Sequence, residues 1–161
     1  MLSPSLFSGK TTFANALSFA PSTSSLDTVP TVGLNVQVFR RQGVVCKVWD
    51  MGGQAAYRAE WARYARGCGV ICVLVDTTRP EDLPQVKREL IQLLEDRELA
   101  TTPLLILANK VDLGPQITEQ ELITGLNLDY VVDAPWLLIP VSAKRGDNIP
   151  KALEFLIKHA K

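Results

Sequence analysis

The chain has 161 residues, and its 17 basic and 17 acidic side chains leave a formal net charge of zero at pH 7. This length suits a single globular domain, which we expect to span residues 1–161. A balanced charge gives no broad positive field and argues against nucleic acid as a partner. The longest apolar runs, Val70–Val75 and Leu104–Ala108, are far shorter than the roughly 20 residues that a membrane-spanning helix needs.

The first residues and the cysteines point to a compartment. Residues 1–4 show neither the basic and apolar stretches of a signal peptide nor a second-position glycine for myristoylation, so we expect a mature protein in the cytoplasm. Cys46, Cys68 and Cys72 are odd in number and lack C-x-x-C spacing, and the single histidine, His159, lies near the end of the chain. These cysteines are predicted to be reduced packing residues rather than zinc ligands.

In chain order, the first half of the sequence predicts a helix and then a hairpin. A helix is predicted over Phe13–Phe19, followed by a mobile Ser/Thr/Pro-rich loop over Pro21–Pro30. Leu34–Arg40 and Val44–Asp50 are apolar-rich, partly alternating segments. The residues between them, Arg41-Gln42-Gly43, complete a pattern that is typical of a β-hairpin.

The second half alternates buried strands with helices. Continuous apolar runs typical of strands in a parallel sheet are Gly69–Asp76, Leu104–Ala108 and the shorter Leu137–Val141. Helical spacing of apolar residues is found from Leu83 to Leu94 and from Ile149 to Ala160, and Thr118–Glu121 has the form of a capping box. This alternation predicts an α/β fold with a mostly parallel central sheet, helices on both faces and a ligand crevice at the C-terminal ends of the strands.

A phosphate-binding loop is indicated by Ser8-Gly9-Lys10-Thr11-Thr12, which leads directly into the first helix. Backbone N–H groups at a helix N-terminus point at an anion, the lysine reaches the outer phosphates, and the next hydroxyl ligates Mg²⁺. Alone, such a triplet is equally typical of a surface turn.

A second segment, Asp50–Gln54, follows a predicted strand. Asp50 at the strand tip can hold the Mg²⁺ shell, the Gly53 N–H can approach a terminal phosphate, and Gln54 can orient an attacking water. In isolation, the same spacing is typical of a helix-capping aspartate in a glycine turn.

Two further loops predict recognition of guanine. Asp112 is suited to accept hydrogen bonds from guanine N1–H and the exocyclic amine, which adenine lacks. Asn109 can bond the other edge of the ring, and the stem of Lys110 can cover the base. A backbone N–H can meet guanine O6 in the loop of Ser142, Ala143 and Lys144. Four such elements in order at strand ends favour a guanine-nucleotide site over coincidence.

On these motifs the sequence resembles the Ras-like small GTPases, and among them the ADP-ribosylation-factor-like branch, over nearly the whole chain after residue 8. Pro30–Gly33 is similar to the first switch of that branch, in which Thr31 would meet Mg²⁺. Trp49–Gln54 is similar to its W-D-x-G-G-Q second switch. Trp61–Gly67 and the tail Asp147–His159 look most like the lysosome-associated Arf-like subgroup.

The resemblance implies a P-loop G-domain that acts as a GTP-binding switch with slow hydrolysis of GTP to GDP and phosphate, regulating membrane traffic. It implies a monomer, peripheral on endomembranes such as lysosome, late endosome or Golgi, with effectors, an exchange factor and a GTPase-activating protein as partners. Lys10 and Gln54 would be catalytic, and Mg²⁺ would be held by Thr11, Thr31 and Asp50. Contacts to GTP or GDP would come from Ser8, Gly9, Lys10, Thr11, Thr12, Thr31, Gly53, Asn109, Lys110, Asp112, Ser142, Ala143 and Lys144.

Two features depart from the family pattern. The aromatic patch that effectors would read has Trp49 and Tyr64 but Leu34 as its third member, and plain core packing is the alternative for these side chains. Pro4 stands where the phosphate loop has its first glycine, and only three residues precede it, so we expect the first strand to be missing and the sheet to have a gap. A truncated or mis-started sequence, another segment or chain filling the gap, or weakened nucleotide binding would each explain this, and the sequence favours the first.

A second hypothesis, from a different class, is therefore an interaction module that keeps the fold but binds nucleotide poorly. A third, a P-loop ATPase or kinase, is disfavoured because Asn109-Lys110-Val111-Asp112 selects guanine. Nucleotide that co-purifies with the protein would distinguish the first two.

Overall fold

Helices and strands alternate along the described part of the chain, which comprises residues 8–18, 33–52, 60–114 and 116–160 of a computed structural model. The helices are α1 (Lys10–Ser18), α2 (Trp61–Ala65), α3 (Leu83–Leu94), α4 (Glu119–Leu126) and α5 (Ile149–Lys158). The strands are β1 (Leu34–Arg41), β2 (Val44–Met51), β3 (Ile71–Asp76), β4 (Leu104–Asn109) and β5 (Trp136–Val141). Among the predicted elements, the loop Pro21–Pro30 lies outside the described residues.

The predicted hairpin is confirmed. β1 and β2 pair antiparallel, with Arg41 opposite Val44. The two residues between them, Gln42 and Gly43, have φ angles of 47° and 81°. Positive φ at both central positions is what a two-residue type I′ turn requires, and glycine adopts it without a Cβ penalty.

β3, β4 and β5 form a parallel sheet with β4 in the centre. Every residue of β3 and β4 is buried, which explains their unbroken apolar sequences. β5 is an edge strand of the described sheet and contains the exposed Pro140, a residue that edge strands tolerate better than central ones.

Helices cover both faces of this sheet, as predicted. α3 and α4 pack with Ile71, Val73 and Ile106 on one face. α1 and α5 pack on the other face against Leu74 and Leu107. The fold is therefore the predicted α/β architecture, with its loops at the carboxyl ends of β3, β4 and β5.

The sheet is divided between the hairpin and the parallel strands. Within the described ranges, β1–β2 and β3–β4–β5 are separate sheets, and a cleft of about 430 Å³ lies between β2 and β3. This cleft is at the position of the gap that the sequence predicts in the sheet. Pro4 and the other residues before Ser8 lie outside the described part.

α4 shows how the sequence sets the ends of a helix. Thr118 Oγ1 accepts a hydrogen bond from the backbone N–H of Glu121 over 3.3 Å, and Glu121 Oε2 accepts one from the Thr118 N–H over 2.8 Å. This is the predicted capping box, and Asn127 ends the helix in a left-handed conformation. In the ranges that the structure describes, no helix has the length and hydrophobicity needed to cross a bilayer.

Candidate nucleotide site

The phosphate-loop residues surround the N-terminus of α1. Ser8 is fully buried, and Lys10, which is 5% exposed, donates from Nζ to Ser8 Oγ over 3.2 Å. Gly9 has a φ of +90°, and a Cβ at this position would lie 2.4 Å from Nδ2 of Asn109. The loop therefore requires glycine here, for both its backbone conformation and its close approach to a neighbouring loop. Thr12 lies half-buried in the first turn of α1.

Two of the predicted Mg²⁺ ligands lie together. Thr11 Oγ1 donates to Asp50 Oδ2 over 2.5 Å, and Asp50 is fully buried near the end of β2. A hydroxyl and a carboxylate are hard oxygen donors, so this pair fits Mg²⁺. The third predicted ligand, Thr31, and the predicted Gly53 and Gln54 lie outside the described residues.

Asn109 joins three loops. It is 2% exposed; its Nδ2 donates to the backbone oxygen of Ser8 over 2.7 Å, and its Oδ1 accepts from the N–H of Ala143 over 3.0 Å. The sequence predicted a contact from Asn109 to the base, whereas the structure shows this second role, in which its side chain fixes the phosphate loop against the loop after β5. A buried amide with both ends bonded is a rigid cross-link.

Asp112 is oriented by the loop after β5. Its Oδ1 accepts from Ser142 Oγ over 2.6 Å, and the same hydroxyl accepts from the backbone N–H of Arg145 over 3.0 Å. Ser142 and Ala143 are buried, whereas Lys144 is exposed. The half-buried carboxylate of Asp112 is thus held at the edge of the crevice.

Sequence reasoning missed two residues at the tip of β3. Lys110 Nζ lies 2.6 Å from Oδ2 of Asp76, and Thr77 donates from Oγ1 to the backbone oxygen of Asn109 over 2.9 Å. Burial alone would raise the pKa of Asp76, but hydrogen bonds from Lys110 and Thr78 outweigh it and hold the pKa below its usual value. The pattern that predicted the other loops, polar residues at the end of a buried strand, is also present at Asp76 and Thr77.

The predicted aromatic pair lies beside the cleft. The rings of Trp49 and Tyr64 have centroids 5.6 Å apart and are tilted by 32°, and Lys47 Nζ lies 4.4 Å from the Trp49 centroid. Both aromatic residues are half-buried, and Tyr64 and Leu34 also pack against the core. The pair therefore combines core packing with an accessible surface.

All three cysteines are free thiols, as expected for packing residues. Burial raises the pKa of the Cys72 thiol to about 11, which leaves it protonated and unreactive at neutral pH. Burial also raises the pKa of Cys46.

Comparisons with known proteins agree with this geometry. Residues 7–160 match the model of the ADP-ribosylation factor family. The chain is similar to ADP-ribosylation factor-like protein 8c of Arabidopsis thaliana, with 37% identity over 153 residues, covering 95% of this chain and 82% of the relative. It is also similar to the structure of the Arl6 (BBS3) small GTPase of Trypanosoma brucei with the bound nucleotide analogue GppNp, with a TM-score of 0.86, 28% identity, and coverage of 94% of this chain and 90% of that one. The chain therefore belongs to the ADP-ribosylation factor family and is an Arf-like small GTPase, a GTP-hydrolysing enzyme.

Proposed function

We propose that residues 1–161 form one G domain that binds GTP and GDP with Mg²⁺ at this edge of the sheet, hydrolyses GTP slowly, and signals through the resulting change of conformation. The observation that carries the proposal is the Asn109 cross-link, which places the phosphate loop at Ser8 against the loop of Ala143. Base recognition and phosphate binding thereby meet in one crevice at the strand tips.

On the base side, Asp112 accepts from the two donors on the guanine edge, and its orientation by Ser142 reduces the cost of ordering it. In the loop of Ser142, Ala143 and Lys144, the Ala143 N–H is bonded to Asn109 Oδ1, so the N–H of Lys144 would meet guanine O6. The stem of Lys110 covers the ring. Asn109 has two N–H donors on Nδ2, so one can serve the base while the other holds Ser8.

On the phosphate side, Gly9, Thr12 and their neighbours present backbone N–H groups at the start of α1, where the helix dipole favours an anion. Lys10 neutralises charge on the outer phosphates and in the transition state. Thr11, Thr31 and Asp50 would hold Mg²⁺, which when bound neutralises charge on the phosphates. Gly53 donates its N–H to the terminal phosphate, and Gln54 orients the attacking water.

We propose that effector proteins recognise the GTP-bound conformation, and that the cellular role is regulation of membrane traffic. GTP orders the segments around Thr31 and Gly53, and hydrolysis releases them. The half-buried Trp49 and Tyr64 supply part of the surface that effectors contact. An exchange factor and an activating protein set the two rates, and an arginine from the latter would add about 10³- to 10⁵-fold. We further propose a monomer, cytoplasmic or peripheral on lysosomal, late endosomal or Golgi membranes.

Titration with fluorescent GDP and GTP analogues, with and without Mg²⁺, tests the binding proposal. We expect saturable binding that is stronger with Mg²⁺ and is displaced by GTP but not by ATP. Equal displacement by ATP would contradict it. For the chemistry, Gln54→Leu should slow single-turnover GTP hydrolysis while leaving GDP affinity unchanged, and an unchanged hydrolysis rate would exclude this role of Gln54.

The divided sheet favours one alternative, a nucleotide-binding-impaired interaction module. Among the described residues, no strand pairs with β2 or β3 across the cleft beside the phosphate loop. Guanine nucleotide released from the purified protein by heat denaturation would exclude this alternative. Repeating the titration on a variant with an added N-terminal strand shows whether the gap limits affinity.

A further inference from the structure

Lys110 holds a backbone conformation that needs an external support. Its φ angle is +72°, in the left-handed region that side chains with a Cβ rarely adopt. The adjoining residues are anchored, since Asn109 is buried and Asp112 is bonded to Ser142. Lys110 is therefore a strained link in the middle of the base-recognition loop.

The support comes from the tip of β3. Asp76 Oδ2 lies 2.6 Å from Lys110 Nζ, and the carboxylate side chain is 1% exposed while that of Lys110 is 27% exposed. The other oxygen of Asp76 accepts from the backbone N–H of Thr78 over 3.0 Å and from its hydroxyl over 2.6 Å. The orientation of the Asp76 side chain is therefore fixed by Thr78, independently of Lys110.

A second contact runs along the same boundary. Thr77 donates to the backbone oxygen of Asn109 from its N–H over 3.0 Å and from its hydroxyl over 2.9 Å. Asp76 thus contacts Lys110, and Thr77 contacts Asn109, so two consecutive residues at the end of β3 hold two consecutive residues of the base-recognition loop.

We propose that Asp76 is a positioning residue for guanine-nucleotide binding, which holds Lys110 in its left-handed conformation so that the lysine stem lies over the base. The inference rests on the proposed function of Lys110. Asp76 does not touch the nucleotide itself; its effect on affinity passes through Lys110.

A double-mutant cycle tests this route. We compare wild type, Asp76→Asn, Lys110→Met and the double variant, measuring the dissociation rate of fluorescent GDP. We expect Asp76→Asn to speed dissociation about tenfold, because it removes the buried carboxylate charge of the ion pair with Lys110. In the Lys110→Met background the same change should have almost no further effect.

A matched control is Asp96→Asn, which removes the carboxylate of the surface ion pair with Arg66, where the two atoms are 2.8 Å apart. It should leave GDP dissociation unchanged. Should Asp76→Asn fail to fold, Thr78→Val replaces it in the cycle, since it removes the hydroxyl that orients Asp76.

Additive effects of the two single changes would overturn the inference, because a purely structural role of Asp76 acts without Lys110. So would a GDP dissociation rate for Asp76→Asn equal to that of wild type. Failure of the wild-type chain to bind GDP would instead overturn the proposed function, and this inference with it.

Discussion

The base side and the metal side of the crevice are built differently. On the base side, Asn109 ends β4, and Asp112 and Ala143 lie in the loops that follow β4 and β5 of one hydrogen-bonded sheet. Hydrogen bonds join these loops. On the metal side, the bond from Thr11 to Asp50 joins α1 to the hairpin, which belongs to the other sheet.

The base side is held together by a backbone ladder, whereas the metal side is held together by side-chain contacts. In the proposed site, guanine recognition would depend on the register of β4 and β5, which a continuous backbone ladder maintains. Mg²⁺ binding in the proposed site would depend on how α1 and the hairpin are placed relative to each other. Side chains maintain that placement: Ser18 donates to Gln37 over 2.9 Å, and Arg41 donates to the Ser18 oxygen over 3.0 Å. Damage to the two sides should therefore give different signatures.

The largest effect is expected on the base side. Asp112→Asn removes the carboxylate that we propose accepts two guanine donors. It should weaken GDP binding on the order of 1,000-fold, equally with Mg²⁺ and with EDTA. Titration with fluorescent GDP measures it, with the exposed Asp129→Asn as control. Weaker GDP binding seen only with Mg²⁺ would contradict the assignment of Asp112 to the base side.

Gly9→Ala should disturb both sides, because Gly9 lies where they meet. The added Cβ would overlap Asn109 Nδ2 at 2.4 Å and force a φ of +90° on alanine. We expect about 100-fold weaker GDP binding. Gly114→Ala is the matched control, since nothing lies within 4 Å of its Cβ position. Unchanged affinity of Gly9→Ala would show that the two loops can separate without cost.

Asp50→Asn addresses the metal side alone. With Mg²⁺ we expect GDP binding to weaken about tenfold, because an amide is a poorer support for the cation than a carboxylate. With EDTA the variant and the wild type should bind alike. An equal loss under both conditions would mean that Asp50 acts on the fold instead.

Much of this arrangement could be predicted from the sequence, because local patterns carry it. The apolar runs predicted β3 and β4, and Thr118 with Glu121 predicted the start of α4. The pairing of Lys110 with Asp76 could not be predicted, because these residues are separated by a whole helix and meet only through the parallel pairing of β3 and β4. The bridging role of Asn109 was hidden for the same reason.

A smaller effect is expected at acid pH. The pKa of Asp76 is lowered in the folded chain, so its ionised form stabilises the fold above the unfolded pKa of about 3.9, and this contribution is lost as the pH falls further. Urea unfolding should show wild type more stable than Asp76→Asn at pH 7, with the difference shrinking below about pH 4. A constant difference would contradict the pairing with Lys110.

The smallest effect on binding is expected far from either side. Thr118→Ala removes the α4 cap and should lower the free energy of unfolding by about 1 kcal/mol, while GDP affinity stays unchanged. Thermal unfolding with Thr101→Ala, an exposed loop residue, as control measures it. Loss of affinity would show that α4 contributes to the base side.

The cleft between β2 and β3 also bears on where the molecule opens locally. Among the described strands, no ladder joins β2 to β3, whereas β4 is paired on both sides, so we expect local opening of the hairpin to cost less than global unfolding. Backbone amides of β2 should therefore exchange their protons for deuterium sooner than those of the central strand β4, and the side-chain contacts of α1 with the hairpin should oppose that opening.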